Sequence, residues 1–286
     1  MKKSLVLLLI SSLVSGLYAR QPRTVVEPPF AFRNSGTLEI ERIELAPEST
    51  TVYIQAYFRP HNWIRISSET YIRAGAEGEK LTVRSADGMP LDTEFYMPET
   101  GRHDFSLSFP PVDPKTAKID LIESDCPDCF KIYDIDLTGK KAKPGRSALA
   151  KKYKKTVPLT ENFTAPIVSD SPARIAGAIT GYDLRFFDRI EIAFYSQIVG
   201  DGATELKVPV HADGSFETEL NILTPICGTL FLPGFVTLPF YAEPGRETAL
   251  EIDLGAVYRK TSVFKELHPQ TSPVAYYGEL GRVNEE

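Results

Sequence analysis

Apolar and polar positions alternate with a period of two over much of this chain, and the alternating stretches are short. Val52, Ile54, Ala56 and Phe58 fall on one side with Tyr53, Gln55 and Tyr57 between them, the clearest such run in the sequence. Leu38 and Ile40 share one face, and Ile43 and Leu45 resume the alternation after a slip at Glu41-Arg42, which predicts a β-bulge or a break. Further strands fit 63–66, 70–73, 80–84, 104–109, 118–122 and 130–137, separated by turn residues such as Asp87-Gly88 and the stretch from Pro110 to Pro114. A second series fits 174–179, 189–195, 205–210, 215–220, 227–232, 237–241 and 248–254, with Asp213-Gly214 as a hairpin signal and Pro244-Gly245 turning the chain before its last strand. Beyond Tyr258 the pattern fails.

This spacing predicts an all-β fold: two consecutive antiparallel, Ig-like β-sandwich domains, over 20–139 and 173–258. Pro22, Pro28 and Pro29 interrupt any period before Asn34, so the start of the first domain reads as an extended lead-in. Between the domains, 140–172 opens on a basic run without an acidic residue, Lys140 through Lys155, which reads as a solvated, cleavable linker. A patch touching anionic lipid or polysaccharide is its alternative reading. Residues 259–286 read as a C-terminal tail.

The N-terminus changes the compartment. Lys2 and Lys3 precede an apolar run over 5–17 that is too short and Ser-interrupted for a stable span, with Gly16 and Ala19 as small cleavage-site residues. A signal peptide over 1–19 is expected, with export to the periplasm or outer cell surface and no membrane span after cleavage. The net charge of −6, more acidic once Lys2 and Lys3 are removed, argues against nucleic acid as a partner. Three cysteines are too few for a disulfide-dense scaffold, so apolar burial must fold the chain.

Two of those cysteines form Cys126-Pro127-Asp128-Cys129. A redox C-x-x-C wants its first cysteine at a helix start, where the partial positive charge lowers the thiol pKa. Here Phe130-Lys131-Ile132-Tyr133 follows, which looks like strand, and Glu123, Asp125 and Asp128 disfavour a thiolate. Cysteines at the outer positions of a four-residue turn lie within disulfide reach, and Pro then Asp suit a type I turn. A structural disulfide is expected, with a redox-responsive pair as the alternative. Zinc normally takes four ligands, and His61, His103, His211 and His268 show no ligand spacing, so no metal or other cofactor is expected. Cys227 lies in an apolar strand and reads as a buried free thiol.

Arg59, His61 and Trp63, in Tyr57-Phe58-Arg59-Pro60-His61-Asn62-Trp63, are candidate ligand contacts for a carbohydrate or peptide. A hairpin whose Trp63 fills the core is the commoner reading of such a segment. Glu123 and Asp125 share a strand face, as a carboxylate acid–base pair would, but read as solvated charge. No nucleophile elbow, zinc-protease motif or phosphate-binding loop occurs, so no catalytic residue is expected. Asn162-Phe163-Thr164 is a glycosylation sequon only in a host with that machinery.

Three stretches carry a resemblance: 57–66 (Tyr57 to Ile66), Phe95-Tyr96-Met97-Pro98-Glu99, and Ile122 through Leu137. They resemble the N-terminal region of exported TlpA-like thioredoxin-family proteins of Bacteroidetes-type bacteria. Ile175-Ala176-Gly177, Asp213-Gly214-Ser215-Phe216 and Glu243-Pro244-Gly245 are similar to the β-sandwich module that precedes the thioredoxin fold there, and 273–278 to the start of the connecting region. The resemblance implies a C-terminal thioredoxin-like domain, which this sequence does not reach, so no redox residues carry over. Cys126 and Cys129 sit in the first domain and are not those residues. The expected function is therefore non-enzymatic binding of a protein or cell-envelope component. Thiol–disulfide exchange, through Cys126 and Cys129 or with a separate thioredoxin-like chain, is the alternative, and a carbohydrate-binding module is the third reading.

Overall fold

A computed structural model describes residues 22–139, 168–195, 202–265 and 272–285. The expected signal peptide, most of the basic linker and the sequon at Asn162 lie outside the described residues. Within them the chain is an all-β, sandwich-like fold built from four main sheets.

The first half runs β1 (Arg23–Val26), β2 (Phe32–Arg33), β3 (Leu38–Leu45), β4 (Thr50–Tyr57), β5 (Trp63–Ile64), β6 (Tyr71–Arg73), β7 (Leu81–Thr82), β8 (Ser85–Asp87), β9 (Phe95–Tyr96), β10 (Arg102–Phe109), β11 (Lys118–Ile122) and β12 (Lys131–Asp136). One sheet has the order β1-β3-β4-β10-β8 and the facing one β2-β12-β11-β6-β7. Their inner faces supply Ile43, Val52, Ile54 and Leu107 from one side and Ile72, Ile119, Leu121 and Ile135 from the other, all buried in one cluster. The register of β3 against β4 shifts between Ile40 and Arg42, the bulge anticipated at Glu41-Arg42. That extra residue puts both Ile40 and Ile43 into the core, which an unbroken period of two cannot do. The lead-in is not free: β1 pairs with β3 and β2 with β12. Strands of two to four residues are too short to show a period.

The second half runs β13 (Ala173–Thr180), β14 (Arg189–Tyr195), β15 (Ala203–Pro209), β16 (Ser215–Leu220), β17 (Ile226–Leu232), β18 (Val236–Ala242), β19 (Glu247–Asp253), α1 (Leu254–Thr261), β20 (Val274–Tyr277) and α2 (Gly281–Glu285). Its sheets are β16-β13-β19-β20 and β15-β14-β17-β18. One pairing departs from the antiparallel expectation, since β13 and β19 run parallel. Gly177 and Gly228 let the rings of their cross-strand partners Phe216 and Phe240 lie on the backbone; a Cβ at either would meet the ring at 2.2 and 2.3 Å.

The segment read as a tail holds the end of α1, an additional strand and α2. Asp253 caps α1 by accepting from Ala256 N at 2.9 Å, and Leu254, Ala256, Val257 and Tyr258 are buried. A helix of eight residues is marginal alone, so this packing holds it. β20 extends the sheet along β19. Asn284 on α2 acts on the outer edge of β18, accepting from Tyr241 N at 2.6 Å and donating to Tyr241 O at 3.2 Å, and the Tyr276 hydroxyl donates to Pro239 O. Those side chains and Pro239 itself blunt an edge that would otherwise template a further strand.

The sandwiches meet through β2. Phe32, Tyr71, Ile122 and Tyr133 belong to the same buried cluster as the second core. The Phe32 ring stacks on Phe186 at 5.1 Å and meets Tyr258 edge-on at 5.3 Å. Beside it Arg185 reaches Asp120 and Asp134 of the first sandwich, each at 3.0 Å. Arg33 and Glu39 form a buried ion pair at 2.6 Å. Arg33 also donates to Thr261 O at the end of α1, while Ser262 Oγ and Val263 N donate to Glu39. A cation on the last carbonyls of a helix also favours its dipole.

Candidate functional site

Two of the expected sites can be built from the described residues: the cysteine loop and the aromatic hairpin. The loop joins β11 to β12 and is closed by Glu123 N donating to Phe130 O at 3.0 Å. Cys126 and Cys129 are disulfide-bonded across it, with Cα atoms 5.4 Å apart. Strands flank the pair on both sides, so no helix dipole acts on either sulfur. Ser124 Oγ lies 3.1 Å from Cys129 Sγ, and Asn34 ties the loop to β2 by donating to Cys129 O and accepting from Lys131 N.

Glu123 and Asp125 face different partners. Partial burial raises the Glu123 carboxyl above its ordinary range, and its oxygen accepts from Phe130 N at 3.4 Å. Hydrogen bonds from Lys80 and Tyr71 hold Asp125 below the ordinary range. One is a half-buried loop clasp and the other an exposed ion-pair partner. A cavity of about 470 Å³ beside the loop is lined by Tyr71, Lys80, Asp125 and Cys126 among others.

So small a covalent loop restricts the unfolded chain little. Replacing both cysteines by serine is expected to cost about 2 kcal/mol or less, read from urea midpoints. A loss well above that would give the bond a larger part than a local staple. Tyr71 and Tyr241 carry a pH dependence. Burial, then hydrogen bonds to Asp125 and Glu243 respectively, push each phenol up to about 12. Unfolded tyrosines ionise near pH ~10, so the folded chain keeps these protons longer. The stability they add is complete below about pH 10 and is lost as the pH rises towards about 12. Tyr71→Phe is expected to flatten that alkaline decline in urea midpoints measured from about pH 9 to 11.5.

The aromatic hairpin departs from the core expectation. Trp63 is 48% exposed, and the core is filled by its neighbours Ile64 and Ile66 instead. The cause is parity: β5 pairs with β9, Trp63 directly opposite Tyr96 and Ile64 opposite Phe95. On β9 the Phe95 ring turns inward onto His103 at 4.1 Å while Tyr96 is 61% exposed. His103 in turn reaches Gly88 O at 2.7 Å, which fixes the floor beneath the ribbon. Trp63 and Tyr96 therefore stand together on the outer face.

The backbone under them is pinned. Asn62 N donates to Arg59 O, closing a turn with Pro60 second and His61 third at φ +61°, the type II arrangement. His61 N donates to Met97 O and Met97 N to Asn62 O, so the two strands stay paired past β5. Phe58 N donates to Gly101 O, and Gly101, at φ +65°, has no room for a side chain because a Cβ would lie 2.7 Å from Phe58 O. At the rim His61 pairs with Glu99 at 2.7 Å, both largely in solvent, and the Tyr96 hydroxyl donates to Glu94 at 3.0 Å. That bond raises the Tyr96 pKa.

Arg59, His61 and Trp63 are thus all exposed on one turn and strand. Tyr96, Glu94 and Glu99, which complete the face, escape a reading of that segment alone. The signal for them is the outward parity of Glu94 and Tyr96 against Phe95 and Met97.

Cys227 is exposed, not buried. β17 alternates with Ile226, Gly228, Leu230 and Leu232 inward, which turns Cys227, Thr229 and Phe231 outward. Among the described residues no group of His, Cys, Asp and Glu is placed to hold a metal ion, and no helix is long and apolar enough to cross a membrane. Compared with known protein families and curated proteins, the chain matches no family model and no curated sequence, so neither comparison identifies a TlpA-like region.

Proposed function

We propose that this chain is an exported, non-catalytic binding protein of the cell envelope, which holds its ligand on the β5–β9 face of the first sandwich. The observation that carries the reading is the exposed cross-strand pair Trp63 and Tyr96 on a backbone fixed by hydrogen bonds at both ends. Trp and Tyr are the residues in which binding energy concentrates, since each offers a large rigid surface with few torsions to freeze. Export is supported by Lys2, Lys3 and the apolar run after them. Absence of catalysis is supported by a cysteine pair closed as a disulfide between strands, with no helix start at either sulfur.

Co-sedimentation of the purified protein with an insoluble cell-envelope fraction tests the reading. Binding is expected, with Trp63→Ala and Tyr96→Ala each weakening it at least about tenfold. In parallel, turnover of a disulfide substrate should stay at background. Turnover that disappears in Cys126→Ser would instead make the chain a thiol–disulfide enzyme.

A further inference from the structure

We infer that the ligand of the β5–β9 face is a neutral polysaccharide, its sugar rings stacking on Trp63 and Tyr96 and its hydroxyls bonding to rim side chains that include Glu94, Glu99 and His61. The inference rests on the preceding reading of the face as a ligand contact and supplies the ligand's chemistry.

Residues directly opposite in an antiparallel pair have Cβ atoms about 4.5–5.5 Å apart on one face. Among the described residues neither ring is stacked on another aromatic ring, and Trp63 and Tyr96 are 48% and 61% exposed. The face of an aromatic ring is electron-rich, and a pyranose presents a patch of weakly positive C–H groups on one side. Two adjacent exposed rings therefore suit consecutive units of a sugar chain.

Charge and edge length decide against other ligands. Glu94 and Glu99, both exposed beside the rings, balance the exposed Arg59 of the same turn, and the chain as a whole carries −6, so a polyanion finds no cationic excess on this face. Carboxylates and an imidazole are good acceptors for neutral hydroxyls. The His61–Glu99 pair is 75% and 85% exposed, so water screens it and little is lost when either group turns to a ligand. A peptide adding itself as a strand needs a run of free backbone, and β5 and β9 are two residues each. The pinned backbone means that few torsions need freezing on binding.

Trp63 is the only tryptophan in the chain, so its emission reports on this face alone. The test is a glycan array of neutral, N-acetylated and polyanionic oligosaccharides, probed with the purified protein and followed by fluorescence titration of each hit. Neutral glycans are expected to bind and shift the Trp63 emission. Tyr96→Ala should weaken them at least about tenfold in that titration, and Trp63→Ala should abolish the array signal. Phe235→Ser, which removes a 98% exposed ring from the second sandwich, should bind unchanged. Envelope binding that needs Trp63, together with array hits that are only polyanionic or absent, overturns the neutral polysaccharide and leaves the face as a contact site. Binding that survives Trp63→Ala, or no binding to glycan or envelope at all, overturns both.

Discussion

Replacing Arg33 by methionine is expected to destabilise the protein by about 3–5 kcal/mol, because Glu39 would remain as a buried carboxylate without its cation. The two side chains are 3% and 2% exposed and 2.6 Å apart. Ser262 Oγ and Val263 N still donate to Glu39 after the change, but two neutral donors do not replace a guanidinium. Removing both charges is a different experiment. Arg33→Met combined with Glu39→Leu takes away the orphan as well as the pair, so the double variant should be more stable than Arg33→Met alone. Urea midpoints of the four proteins check this. If the two single losses simply add, the pair is not coupled and the contact between β2, β3 and the end of α1 is held by something else.

Phe32→Ala is the second large effect, about 3–5 kcal/mol. Its ring is 1% exposed and touches Phe186, Phe187 and Tyr258 of the second sandwich and Tyr133 of the first. Phe186 and Tyr258 are themselves buried within the second core, which limits how far they can move into the cavity. The loss should also change the shape of unfolding. With Phe32 in place, four residues of the first sandwich lie in the core cluster of the second and the halves should melt together; in Phe32→Ala two separated calorimetric transitions are expected. A single transition at a slightly lower temperature would show that Arg185 and its three carboxylates, Asp120, Asp134 and Asp183, couple the halves without the ring.

Much of the strand content is legible in the chain because each long strand has one face in a core and one outside. β10 and β14 alternate for this reason, and β4 does so up to Ile54. The bulge in β3 is legible as well, since it moves every later side chain to the other parity. What is not legible depends on partners distant in sequence. β20 has four residues and becomes a strand only by lying along β19. β2 has two, yet carries the ring and the guanidinium that join the sandwiches.

The candidate site divides in the same way. Cys126 and Cys129 fit a disulfide by local geometry alone. The orientations of Trp63 and Cys227 were set by which neighbours pair with them, so an apolar side chain and an apolar strand gave the wrong side of the sheet for both. Tyr96 joins Trp63 across more than thirty residues that include β6, β7 and β8, a pairing no local pattern contains.

Hydrogen exchange with and without the bound ligand, taken from the envelope fraction that co-sediments, is the most direct test of the β5–β9 face as the contact site. The account predicts slowed exchange confined to residues 58–66 and 94–101. Protection centred on the loop at Cys126 and Cys129, or on β18 and β20, with 58–66 unchanged, would contradict it.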